Sequence, residues 1–220
     1  MFGKRFAFKR ILKIFINKKG DKMIAGISIA VVLVLVGFYT ARTYNRLVAL
    51  FNRTQNAFAQ IDVQLKRRYD LIPNLIEVAK KYMQHEKETL LSVTNARNAA
   101  RNALKSASQS ADIKNIAKLN SAEFSLLNAL KGLNIQMEAY PELKANENMM
   151  QLNEELTSTE NKITFARQSF NDSAMNFNVF KQTFPCNIIV GLFPKYRDDM
   201  GFLEFNESKE VLEKAPKVEF

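Results

Sequence analysis

Apolar and polar positions alternate in three distinct regimes along this chain. The first is an uncharged run over residues 23–39, opened by Met23 and closed by Tyr39 and reading MIAGISIAVVLVLVGFY. A run of about 17–25 apolar residues can cross a bilayer as a helix, because a helix satisfies its own backbone where lipid offers no partner. The second regime steps by threes and fours from Tyr44 through Leu47, Phe51, Phe58, Ile61, Leu65, Ile72, Leu75, Ala79 and Tyr82, resuming at Leu90 and Val93. No glycine lies between Gly37 and Gly132. The pattern therefore predicts helix up to the small polar stretch at residues 106–111, with a kink or a break at Pro73. As one rod, residues 44–106 would reach roughly 95 Å. A bundle of matched lengths thus requires a fold-back near Pro73 or a stalk beside the membrane.

The third regime holds two further helices. One is predicted from an N-cap at Asp112, with a seam of Ile116, Leu119, Leu126, Leu130, Leu133, Met137 and Tyr140, ended by Pro141. Pro141 can also open the next helix as its first-turn residue, with Glu142 at the positive end. That helix carries the most regular seam: Met149, Leu152, Leu156, Thr159, Ile163, Ala166, Phe170, Ser173, Phe177, Phe180 and Phe184, stopped by Pro185. Its mean step of 3.5 residues is the period of coiled-coil-like bundle packing. Residues 188–193 are apolar, too short to cross a bilayer, and expected to cap one end of the bundle. The fold class predicted is all-α: long antiparallel helices in a four-helix, up-and-down-like bundle behind one N-terminal transmembrane helix. The predicted divisions are a basic tail (1–22), an anchor (23–41), a helical-bundle domain (42–185) and an irregular C-terminal segment packed on the bundle (186–220).

Charge reshapes this picture. The net charge is +10, which by itself suggests nucleic acid. Residues 1–22, however, carry eight cations against Asp21, a net +7, leaving only +3 for the remaining 198 residues. The basicity belongs to the anchor's flank, where each cation near an anionic lipid surface contributes about 1 kcal/mol. No nucleic-acid partner is expected, and the bilayer is the expected partner of the tail and the run. In the tail, Phe8, Ile11, Leu12 and Phe15 follow helical spacing among cations. This suits either an interfacial amphipathic helix or a disordered topogenic tail. The apolar run is longer than a cleavable signal's core, and small residues are missing at the usual cleavage positions, so an uncleaved signal anchor is expected. Eight cations before the span, against Arg42, Arg46 and Arg53 soon after it, place the N-terminus in the cytoplasm and the domain outside. Residues 40–106 hold +7 and residues 107–220 hold −4. Complementary packing of the two halves explains this better than an exposed basic face.

The chemistry is sparse. His85 is the single histidine, and the HEKET segment lacks the second histidine of a zinc-protease helix. Cys186 is the single cysteine. No catalytic set, metal site or cofactor is expected. Two polar groups stand out. Ile61, Leu65, Arg68 and Ile72 share a face, so Arg68 falls within the apolar seam, where an unpaired charge is costly. Glu160, Arg167, Asn171 and Asn178 form a stripe beside the seam of the last helix. Arg68 is expected to meet Glu160 or Asp62, and Arg167 to meet Asp62 or Asp70. A register-fixing buried network explains these groups better than a ligand site.

The segments TYNRLVAL (43–50), QIDVQLKRRYDLIPNLIEVAKKY (60–82), AYPELKANENMMQLNEELTSTENKITFARQSFN (139–171) and APKVEF (215–220) resemble the LemA family of bacterial membrane proteins. The resemblance covers most of the chain. It implies a helical-bundle domain behind one membrane span and brings no settled biochemical activity. The family's pattern falls on Asp62, Arg67, Arg68, Asp70, Pro73, Asn74, Tyr140, Pro141, Lys144, Glu160, Asn161, Arg167, Asn171 and Asn178. The chain departs from it at Phe58, near which the family often has tryptophan, and at Phe170, where tyrosine is usual. Its tail is also longer and more basic than typical. Asp62, Arg67, Arg68, Asp70, Asn74, Glu160, Arg167, Asn171 and Asn178 are therefore the candidate structural or ligand cluster. The expected role is a non-enzymatic scaffold or adaptor in the inner membrane, binding an envelope protein or itself. The rival is a ligand sensor using the polar cluster.

Overall fold

The computed structural model describes the backbone of residues 3–204 and the side chains of residues 26–204. The chain divides after Arg46 into two compact units. The N-terminal unit lies on α1 (Gly3–Tyr82), a helix that begins in the basic tail and continues into the second unit. Between Gly26 and Tyr39 its side chains are almost all exposed, among them Ile27, Leu33, Val34 and Phe38. From Gly26 onward α1 is long and apolar enough to cross a membrane. The side chains of the basic tail lie outside the described residues.

The second unit is an all-α bundle. Its helices are α1 from Leu47 onward, α2 (Lys87–Gln109), α3 (Ile113–Met137) and α5 (Glu147–Gln182), with a single turn, α4 (Pro141–Lys144), before α5. Cross-helix contacts fix their directions. Along α1 and α5, Phe51 meets Phe177, Phe58 meets Phe170, Arg68 meets Glu160 and Tyr82 meets Asn146, so the two run antiparallel. Asp62 meets Ser108 and Tyr69 meets Arg97, so α1 and α2 are antiparallel as well. Tight connections at residues 83–86 and 110–112 make the order up-down-up-down. The predicted seams form the core: Leu47, Ile61, Leu65, Ile72, Leu119, Leu126, Leu133, Ile163, Phe170 and Phe177 are all fully buried.

Four boundaries differ from the sequence reading. Residues 44–106 do not form one rod, and the chain turns at residues 83–86 rather than at Pro73, which sits inside α1. The gap in the apolar seam between Tyr82 and Leu90 was the sign of this turn. The last long helix opens at its N-cap Asn146, whose side chain accepts from the Met149 amide at 3.1 Å, while Pro141 opens only α4. Phe184 lies beyond the C-cap Thr183 and is exposed. The segment after Pro185 contains α6 (Cys186–Val190) and a 3-10 turn (Pro194–Tyr196). The N-cap expected at Asp112 is present, accepting from the Asn115 amide at 2.8 Å. Val190 and Tyr196 close one end of the core, with Tyr196 edge-on to Phe51 at 5.2 Å, while Ile188 and Leu192 remain exposed.

Candidate functional site

The candidate residues do not form one cluster. They divide among three places in the bundle, each with its own chemistry.

The first place is the bundle centre. Arg68 on α1 is carried inward by the seam it interrupts, and its side chain is 2% exposed. Its Nη2 faces Oε2 of Glu123, which α3 brings from the opposite corner and which is fully buried. Nη1 donates to Oε2 of Glu160 on α5 at 2.5 Å, so the expected Arg68–Glu160 contact is present. The Tyr69 hydroxyl donates to Oε1 of Glu123. Three helices are thereby tied through one guanidinium and two carboxylates, Glu123 buried and Glu160 partly exposed. Burial pushes the Tyr69 phenol up from its ordinary value; the Arg68 charge opposes this, and Asp62 adds to it. Among the described residues, Gln64 Oε1 and Arg68 Nε are buried without a hydrogen-bond partner, one helical turn apart on α1.

The second place is the outer face of α1. Asp62 pairs with Lys66 at 2.5 Å and accepts from the Ser108 hydroxyl at 2.8 Å. Asp70 is 74% exposed, 3.9 Å from Arg97. Lys66, Asp70 and Ser108 line an open cleft of about 610 Å³ between α1 and α2, together with Arg101 and Lys105. Arg67 reaches Glu155 at 3.6 Å, and Asn74 is exposed in the shallow groove between α1 and α5. Arg167 is half-buried on α5.

The third place is the groove between α3 and α5, where residues 200–204 lie extended. Asn178 donates its amide to the Met200 carbonyl and accepts from the Met200 N–H, both at 2.9 Å. Asn171 makes the same pair with Leu203, at 3.0 and 2.9 Å. From the other side, Asn120 on α3 donates to the Phe202 carbonyl at 2.9 Å and accepts from the Glu204 N–H at 3.2 Å. The Gly201 N–H donates to the Ala111 carbonyl at 3.3 Å. Lys181 secures the entry, its ammonium held by the carbonyls of Arg197 and Asp198 and, at 2.8 Å, by the Asp199 carboxylate. The stripe predicted from Glu160 to Asn178 thus serves two purposes: Glu160 joins the central ion pair, and the asparagines hold this strap.

Glu123, Asn120 and Lys181 are absent from the sequence-based candidates. Glu123 was legible, since it lies between Leu119 and Leu126 on the predicted seam, as Arg68 lies between Leu65 and Ile72. Lys181 follows Phe177 at the same seam spacing. Asn120 carries no local signal, because its partner is 82 residues away in sequence.

Among the described residues, no group of three or more His, Cys, Asp or Glu side chains could hold a metal ion. Residues 57–220 match the LemA family. Over 146 residues, 66% of this chain, the sequence is 28% identical to Protein LemA of Metamycoplasma hominis, and the match spans 62% of that protein's length. The match over residues 57–220 takes in all three places, and the chain belongs to the LemA family.

Proposed function

We propose that this chain is a single-pass protein of the bacterial inner membrane that works without catalysis, as a scaffold or adaptor for envelope proteins or for further copies of itself. The observation that carries this reading is the pairing of Arg68 with Glu123 and Glu160. The charges best placed to form a ligand site are spent on each other, Arg68 and Glu123 inside the core and Glu160 at its edge. A buried arginine held this way fixes how helices meet and leaves the outer faces of the bundle for contact. Those faces carry exposed apolar side chains, among them Val63, Leu91, Phe165 and Met175. The cation excess before the apolar run supports a cytoplasmic N-terminus and an extracytoplasmic bundle.

Crosslinking in intact membranes at native expression levels, with the products identified by mass spectrometry, tests the role. A recurrent partner or a homo-oligomer is expected, and recovery of monomer alone would overturn the scaffold reading. Orientation is tested separately with a Cys186→Ser, Ser121→Cys chain. An impermeant thiol reagent should label it in intact spheroplasts, and protection until lysis would reverse the assignment.

A further inference from the structure

The strap at residues 200–204 is read almost entirely through its backbone. Three asparagine side chains make six hydrogen bonds to it, and every one goes to a main-chain N–H or C=O. Alternate residues of an extended chain point their amide groups to opposite edges. The strap departs from that alternation: Met200 and Leu203, three residues apart, both bond to α5 through Asn178 and Asn171, while Phe202 and Glu204 bond to Asn120 on α3. The spacing is matched. Seven residues of helix between Asn171 and Asn178 rise about 10.5 Å, and the three residues from Met200 to Leu203 span about 10 Å when extended. Two helices therefore hold the strap from both sides through its main chain.

Side chains enter as a filter. Met200 and Leu203 are buried, whereas Phe202 and Glu204 are exposed. A Cβ at Gly201 would stand 2.7 Å from Cβ of Ile116 and 3.1 Å from the Ile113 backbone, so only glycine fits there. The groove thus accepts an extended segment of the pattern apolar–glycine–any–apolar. The segment seen to satisfy it belongs to the chain itself. It follows the last long helix, so its departure leaves all four bundle helices continuous. Exposed Ile113, Met175 and Val179 lie beside it, an apolar rim of the kind that marks association sites.

We propose that this groove is a strap-accepting site filled in trans by residues 200–204 of a second copy, so that copies in one membrane associate by strap exchange. Exchange of an identical element reuses contacts already optimised within one chain. Tethering in one membrane holds both copies in the same orientation and raises the effective concentration of one strap near another's groove. The proposal rests on the self-associating form of the scaffold reading and specifies the surface involved.

The test uses full-length chains with two different tags, co-expressed and recovered from membranes. The strap-defective copy carries Gly201→Val and Leu203→Asp; the groove-defective copy carries Asn120→Ala, Asn171→Ala and Asn178→Ala. Wild-type copies should co-purify. Neither defective copy should pair with itself, and mixing the two should restore pairing, because one supplies a groove and the other a strap. Undiminished self-pairing of both defective copies would overturn strap exchange while leaving the scaffold reading intact; failure of wild-type copies to pair would overturn exchange outright. Because loss of the clamp could also loosen the bundle, a second measurement uses a labelled peptide of residues 198–206, DDMGFLEFN, on the strap-defective copy with its helical circular dichroism verified. The peptide should bind there, and its Gly201→Val version should bind at least about tenfold more weakly, since the added side chain overpacks the groove. No binding of the unaltered peptide would overturn the proposal.

Discussion

Arg97 donates its Nε to the carbonyl of Tyr69 at 2.8 Å, and that carbonyl is the one Pro73 leaves without a helical partner. A proline inside a helix removes the bond to the residue four positions before it. Here α2 supplies the missing donor from its side chain, which accounts for α1 passing through Pro73 unbroken. The residue that looked like a chain break is a point of attachment between two helices.

This arrangement predicts coupling between Pro73 and Arg97. Arg97→Ala should cost about 1–2 kcal/mol, because the Tyr69 carbonyl loses its donor. In a Pro73→Ala background, the backbone N–H regained at that position can fill the same role, and the Arg97→Ala cost should fall below about half. A double-mutant cycle by urea unfolding measures this, and strictly additive costs would show that the two positions are unrelated.

The two carboxylates on Arg68 should differ sharply. Glu123 is fully buried, so Glu123→Ala leaves the buried guanidinium with the partly exposed Glu160 alone and should cost about 3 kcal/mol or more. Glu160 is 40% exposed and its pairing is screened by water, so Glu160→Ala should cost about 1 kcal/mol or less. Replacing the central pair together, as Arg68→Met with Glu123→Leu, should recover much of the Glu123→Ala loss, since apolar residues of similar volume carry no desolvation cost. Thermal melts of the four chains at one pH rank these effects.

Tyr69 makes stability sensitive to alkali. Its folded-state pKa is raised by burial above the unfolded value of about 10. The native state therefore holds this proton more tightly than the unfolded chain does. Its contribution is complete below about pH 10 and is lost as the pH climbs from there through the folded-state value. Tyr69→Phe should lower stability near neutrality by about 1–3 kcal/mol, because Glu123 loses a donor. It should also show a smaller decline between pH 8 and pH 10.5 than the parent. Equal declines in urea titrations at the two pH values would mean that Tyr69 does not titrate with unfolding.

The strap should behave as part of the folded bundle. Asn178→Ala strips both partners from the Met200 backbone in a buried setting and should cost about 1–3 kcal/mol. Its local effect is the sharper readout: hydrogen exchange at the Met200 and Leu203 amides should speed up while α1 amides stay protected. Unchanged exchange at those two amides would show that the clamp does not hold the strap.

The sequence by itself determined the apolar run, the all-α class, the core-facing seams and the placement of Arg68 among buried residues. All of these depend on local periodicity and the cost of misplacing apolar or charged groups. Phe58 and Phe170, both placed on the predicted seams, pack edge to face at 5.4 Å. Only the tertiary structure decided which carboxylates Arg68 meets, that Pro73 is bridged instead of broken, and that Asn120, Asn171 and Asn178 converge on one extended segment. Those choices join residues 22 to 92 positions apart. Local pattern carries no information about such pairs, because each depends on how the four helices are arranged around a common core.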